Sequence, residues 1–215
     1  MDYLHWDEKV ITNFSDIAIS DLYARGYVFT RIGKGAMQQT RSSRIDLSAF
    51  ELTSENRRIL KKVSDLTLKE NLIPYAGYDF TIGKLGKDFY DTKFGSGIMS
   101  AQKIKEMMTD SAKSNFTTLI TYGVTGHVIG YVITYKNKDI MHYSYPFYDL
   151  TASKDTGLGM MTQAIQHAKE QGLKYIYLGS LQRPSDTYKL QFKGLEWFDG
   201  TSWKTDLEEV KNILK

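Results

Sequence analysis

The chain has 215 residues, 41% of them hydrophobic and 25% charged, with a formal net charge of +3. This is the balance of a globular protein with enough apolar material for a core, as one large domain or two small ones, and the charge alone is too small to argue for a nucleic-acid partner. The absence of cysteine excludes disulfides, iron–sulfur clusters, thiolate zinc sites and a cysteine nucleophile.

The first ten residues contain acids and no apolar segment of the kind a leader needs. No apolar run is long enough to span a bilayer, so the expected setting is cytoplasmic, with no membrane partner. Residues 27–33 read as a short strand. Residues 54–66 read as a helix with Ser54 as N-cap, because Ile59, Leu60, Val63 and Leu66 fall at helical spacing. A less patterned region follows, with 78–82 and an aromatic-rich stretch at 87–95. Residues 99–114 read as a second helix, with Ile104, Met107, Met108 and Ala112 on or near one face.

Three β-rich runs come next, 116–124, 127–137 and 139–150, joined by short turns, which predicts an antiparallel meander. A glycine-bearing loop, Lys154 to Met160, leads into a helix from about Met160 to Gln171, closed by Gly172. Residues 173–180 form a strand, 184–194 a short helix, 195–203 a strand with a turn, and the last twelve residues a helix. Three prolines and no low-complexity stretch argue against a flexible linker. The expected division is an N-terminal segment, 1–70, carrying a basic helix, and a larger α/β unit, 71–215.

The loop has two readings. Glycine permits close backbone approach, and a helix start offers unpaired N–H groups and a partial positive charge, which together favour an anion such as phosphate. The N–H groups of Gly157, Leu158, Gly159 and Met160 would hold it, with Lys154 as a nearby charge. Alternatively, Gly157 and Gly159 only shape a tight connection.

The order of elements and the pattern Lys154-x-x-Gly157-x-Gly159 resemble the GNAT acyltransferase superfamily, whose pyrophosphate loop usually begins with Gln or Arg. Four stretches narrow the resemblance to the aminoacyl-tRNA–protein transferases of the N-end rule, arginyl and leucyl branch: 41–62, with its paired Arg57 and Arg58; Tyr145 to Leu150, with leucine where proline is usual; 156–180; and 187–203, with Gly194 where proline is usual. That family commonly carries paired cysteines near its N-terminus, and this chain has none. The resemblance implies a GNAT-like α/β fold: a mixed, mainly antiparallel sheet with flanking helices and an N-terminal strand-helix extension.

It also implies an acyltransferase. The α-amine of a protein or peptide would attack the ester joining an amino acid to tRNA, with aminoacyl-tRNA as donor and neither cofactor nor metal required. That chemistry needs a neutral amine, donors for the oxyanion and a proton for the leaving ribose oxygen. Asp149 is a carboxylate for the acceptor amine or a turn former. Tyr188 is a proton donor or a packing residue, and Lys189 a holder of a tRNA phosphate or of the acceptor's carboxyl-side groups, or a solvated helix residue. Gly179 would let neighbouring strands splay, and Tyr177 would line the resulting cleft or pack the core. Arg41, Arg44, Arg57, Arg58, Lys61 and Lys62 are the densest basic cluster, either a tRNA contact or ordinary solvated charge. Scattered histidines give no metal-ligand pair. Acetyl-CoA as donor, and a non-catalytic module that binds tRNA or a degron, are the alternatives.

Overall fold

The computed structural model describes residues 4–215; residues 1–3, part of the stretch read for a leader, lie outside the described residues. The chain runs β1 (Asp7–Val10), α1 (Asp16–Ala24), β2 (Tyr27–Phe29), β3 (Ala36–Gln39), β4 (Ser42–Asp46), α2 (Ser54–Lys62), β5 (Leu66–Leu72), α3 (Phe80–Phe94) and α4 (Ala101–Thr109). It continues through β6 (Thr118–Val124), β7 (His127–Lys136), β8 (Ile140–Tyr148), α5 (Thr156–Glu170) and β9 (Tyr175–Ser180). A 3-10 helix (Pro184–Gln191), β10 (Leu195–Phe198), β11 (Trp203–Lys204) and α6 (Leu207–Ile213) complete it.

The main sheet has eight strands in the order β11-β10-β4-β9-β8-β7-β6-β5, and β1-β3-β2 form a separate three-stranded sheet. All pairings are antiparallel except β8 with β9. The mixed, mainly antiparallel architecture is the expected one. The division at residue 70 has no counterpart in it: that position lies inside β5, and β4 and β5 are both strands of the main sheet. The N-terminal extension is the small sheet with α1.

Strand alternation sends side chains to two cores. Ile176, Leu178, Ile120 and Val132 join Met160, Ile165 and Trp197 on one face; Tyr177, Leu119, Tyr131 and Ile133 join Tyr23, Phe89, Ile104 and Met107 on the other. The second face contains α3, which covers part of the region read as unpatterned. Asp79 caps it by accepting from the Thr81 N–H at 2.7 Å. Its buried residues Ile82, Phe89 and Tyr90 are helically spaced, with Gly83 and Gly86 diluting the pattern.

Three sequence expectations change at element ends. The N-cap of α2 is Thr53, not Ser54: Thr53 Oγ1 accepts from Asn56 N–H and Asn56 Oδ1 accepts from Thr53 N–H, both at 3.1 Å, a closed capping box. That helix stops at Lys62, and Leu66 already belongs to β5. The helix expected from Met160 begins four residues earlier, at Thr156, so Gly157 and Gly159 lie in its first turns rather than in a loop.

Neither of those glycines has positive φ. They are required by close packing. A Cβ on Gly159 would lie 2.6 Å from Val63 Cγ2 beside α2, and one on Gly157 2.7 Å from the Tyr148 hydroxyl. Gly194 is different: its φ of +77° is closed to proline, whose ring fixes φ near −65°. That explains glycine where the resembling family uses proline.

Two measurements check this packing. A Cβ at Gly194 would meet the Asp46 carbonyl oxygen at 2.7 Å in a left-handed backbone, so Gly194→Ala should cost about 1–3 kcal/mol in urea unfolding. His142 is 3% exposed, and its Nδ1 lies 2.9 Å from the Tyr23 hydroxyl. Burial first, then the Lys189 charge, lower its pKa from 6.5 to about 3. The unfolded chain therefore binds the extra proton, and stability falls as pH drops from about 6.5 toward 3. His142→Asn should remove that share of the acid sensitivity, roughly 2 kcal/mol between pH 7 and 4.5; equal losses in both proteins would contradict the buried neutral imidazole.

Candidate active site

The parallel ladder between β8 and β9 is short. It pairs Ile140 with Tyr175, Met141 with Ile176 and His142 with Tyr177, and then stops. Beyond it β8 runs on to Tyr148 beside β7, while β9 turns toward β4. The register of β9 on β4 shifts between Arg44–Tyr177 and Ser42–Ser180. Gly179 sits in that irregularity with φ +77°, Ser43 Oγ donates to its carbonyl at 2.9 Å, and a Cβ there would meet nothing within 4 Å. The two strands form a fork, and Gly179 opens onto space.

Lys189 reaches the fork from the 3-10 helix. It is 6% exposed, its Nζ donates to the Ser180 carbonyl at 2.8 Å, and the Asp186 carboxylate is 4.0 Å away. Burial lowers its pKa. This overturns the solvated-face alternative: Lys189 is a buried cation held on the Ser180 carbonyl of β9. Asp186 caps the 3-10 helix by accepting from Gln182 and Arg183 N–H at 2.8 and 2.9 Å.

Tyr188 is 44% exposed as a residue, yet its hydroxyl is held well above the ordinary range, by burial first and then by Asp186 and Tyr148. It stays a neutral hydroxyl at neutral pH, available as a hydrogen-bond donor. Burial also raises the Tyr143 hydroxyl, with Tyr122, Tyr188, Tyr148 and Tyr90 acting on it. Tyr143 belongs to one core and Tyr90 to the other, so phenols from both faces meet beside β8, where the ladder has ended.

At the end of β8, Asp149 Oδ1 accepts from Thr151 N–H at 2.8 Å and Thr151 Oγ1 at 2.7 Å, which holds its carboxyl below the usual carboxylate range. Asp149 thus forms the turn after β8 through Thr151. The start of α5 leaves two donors. Thr156 N–H bonds Ser153 O at 2.9 Å and Gly159 N–H bonds Asp155 O at 2.8 Å, while Met160 is fully buried inside the helix with its carbonyl accepting from the Tyr122 hydroxyl. Of the four N–H groups expected to hold an anion, Gly157 and Leu158 remain without a hydrogen-bond partner. Lys154 is exposed beside them.

The basic cluster divides. Val63 packs on Gly159, and Lys62 Nζ is 3.0 Å from Asp155 Oδ2 at the helix start, so α2 lies against this end of α5. Arg57, Arg58, Lys61 and Lys62 are exposed there, Arg58 paired with Glu55 and Arg57 donating to Leu52 O. Arg44 is not part of this surface. It is 8% exposed, 2.7 Å from Glu196, with its guanidinium 3.9 and 4.0 Å from the Tyr175 and Trp203 rings. Arg41 is half-buried on the Leu181 carbonyl, beside β9. Tyr177 is likewise a core residue, 1% exposed, with ring contacts to Tyr23 and Trp203. Sequence reasoning missed Tyr90; the helical spacing of Ile82, Phe89 and Tyr90 was the available signal. Among the described residues no group of three or more His, Asp or Glu is arranged to hold a metal.

Residues 91–190 match a family described as Acetyltransferase (GNAT) domain. The chain is 28% identical over 169 residues to the aspartate/glutamate leucyltransferase of Ruegeria pomeroyi, covering 76% of this chain and 61% of that protein. It is 24% identical over 218 residues to that of Hyphomonas neptunium, covering 92% and 85%. Among solved structures, the C-terminal domain of a putative lysylphosphatidylglycerol synthetase from Agrobacterium fabrum superposes with a TM-score of 0.50 at 14% identity, covering 82% of this chain and 55% of that one, a likeness of fold. The chain is thus a GNAT-fold homologue of proteins named aspartate/glutamate leucyltransferase, in keeping with the family its sequence motifs resemble.

Proposed function

We propose that the chain transfers an aminoacyl group from aminoacyl-tRNA to the α-amine of a protein N-terminus, an N-end rule modification, with leucine as the donor amino acid and an acidic first residue as acceptor, as the names of its relatives suggest. The proposed setting is the cytoplasm, where charged tRNA is available; no helix among the described residues is long and apolar enough to cross a membrane.

The observation that carries this reading is the β8–β9 fork, with the basic face of α2 packed on the α5 start at one side and the buried Lys189 and protonated Tyr188 at the other. In the proposed step the neutral amine nitrogen attacks the ester carbonyl. The carbon–nitrogen bond forms, the carbon–oxygen bond to ribose breaks, the amine loses a proton to water and the ribose oxygen gains one. Lys189 stabilises the oxyanion, Tyr188 supplies the proton to the ribose oxygen, and Gly157 and Leu158 N–H with Lys154 face the tRNA phosphates. Arg57, Arg58, Lys61 and Lys62 extend that path along α2. No metal or cofactor enters the proposed step.

Acetyl-CoA as donor has the match to a GNAT domain in its favour. Against it, the relatives reported above are named for leucyl transfer rather than acetyl transfer.

The test uses labelled aminoacyl-tRNAs and peptides that differ only at residue one. Label from leucyl-tRNA should appear on peptides beginning with Asp or Glu, and acetyl-CoA should leave the melting temperature unchanged. Lys189→Met should lower transfer about 10²-fold or more, measured below the melting temperature of both proteins, and should lower that temperature, because the Ser180 carbonyl and Asp186 lose their buried partner. Tyr188→Phe should lower it about 10²-fold. Lys61→Ala should reduce the salt slope of tRNA binding by about 0.7. Unlabelled peptide with every charged tRNA, or a thermal shift with acetyl-CoA, would overturn the reading.

A further inference from the structure

An acidic first residue carries a carboxylate one or two methylenes from the reacting amine. Bringing it out of water requires a cation with matching donors, and a planar guanidinium fits best. Three arginines are already neutralised: Arg25 by Asp21, Arg44 by Glu196 and Arg58 by Glu55. Arg57 belongs to the α2 surface and Arg41 is turned onto β9. Arg31 and Arg183 remain, and neither has a carboxylate at ion-pair distance among the described residues.

These two come from distant parts of the chain and converge on one segment. Arg183, ahead of the 3-10 helix, holds its guanidinium 5.3 Å from the centre of the Phe94 ring. Arg31, just after β2, donates through NH2 to the Ile98 carbonyl at 2.6 Å. Phe94 and Ile98 are 44% and 39% exposed, and the Phe94 ring lies 5.6 Å from Tyr90. The Phe94 and Tyr148 rings both lie against Phe89, at 6.4 and 4.9 Å between centres, which ties the segment to the end of β8. The result is an apolar platform flanked by two uncompensated guanidiniums, beside the fork.

We propose that Arg183 and Arg31 bind the side-chain carboxylate of the acceptor's first residue, with Phe94 and Ile98 contacting its methylenes. The assignment rests on the proposed transfer to a protein N-terminus for its biological meaning, but its binding chemistry is separately measurable. Lys189 does not serve this purpose, since the Asp186 carboxylate stands 4.0 Å from its ammonium and the proposed step already uses it for the oxyanion. Arg183 is exposed, and the cap of the 3-10 helix uses its backbone N–H and carbonyl, so replacing its side chain leaves that cap intact.

The test measures dissociation constants by fluorescence anisotropy for labelled peptides beginning with Asp, Glu, Asn, Gln or Lys, using the full chain, with transfer followed in parallel. Wild type should bind Asp and Glu peptides about tenfold or more tightly than Asn and Gln peptides. Arg183→Met and Arg31→Met should erase that ratio, leave Asn and Gln binding unchanged and keep the cooperative melt. Arg183→Glu should shift preference toward the Lys peptide. Equal binding of Asp and Asn peptides by wild type overturns the assignment, as does a preserved ratio in Arg183→Met. A variant that loses only tRNA affinity and salt slope would mark these arginines as phosphate contacts and also overturn it. If wild type binds acidic peptides through Arg183 but transfers nothing, the transfer reading fails and the recognition site stands.

Discussion

Two parallel strands that pair for three residues and then part are the constraint on which the site depends. Parallel strands buried between two layers normally continue their ladder, because an unpaired backbone group in the interior is costly. Here β9 finds a substitute for β8. Its bonds pass to β4, with Ser43 serving the Gly179 carbonyl and Lys189 serving that of Ser180. The φ of +77° at Gly179 makes that turn possible, and only glycine adopts it without strain. The opening therefore follows from a bulge and a buried lysine, not from a missing side chain.

Electrostatics divides along the same line. At the α5 end, cations are exposed and compact with the helix start, an arrangement for a polyanion that approaches from solvent. At the 3-10 helix end, one cation is buried on the Ser180 carbonyl, 5.8 Å from the centre of the Tyr188 ring, and the Tyr188 and Tyr143 hydroxyls are held above their ordinary pKa. Such groups donate hydrogen bonds at neutral pH without changing charge. The two ends thus suit two partners: a phosphate chain at one, a nucleophile and an ester at the other. His142 lies between them in neutral form, closing the ladder with its backbone and the second core with its ring.

Much of this was legible in the residues. The three-strand meander, the helix of residues 99–114 in its central part, the closing Gly172 with φ +73° and the following strand all appear where alternation and caps place them. The small sheet of β1, β2 and β3 was less legible, because β1 is exposed throughout and carries no alternation. The α3 helix was hidden by glycines that a sequence reader takes as breakers, whereas Gly86 is there to admit Ile104 and Phe147. At the site, Gly179 and Lys189 were legible as residues of interest, but their burial was not. Arg44 was misread because charge adjacency in sequence does not reveal a partner 152 positions away: Glu196 across β10 neutralises it. Gly157 and Gly159 were read for backbone freedom, and close packing proves to be their reason.

The central claim is that the space in front of Gly179 is where the acyl donor sits. Its most direct measurement compares the aminoacyl transfer rate of Gly179→Ala with that of Gly179→Leu. Both variants bear the same backbone strain at positive φ, so both should melt lower by a similar amount, but only leucine fills the fork. The account expects alanine to retain most of the transfer and leucine to abolish it. Equal transfer by the two variants would contradict it.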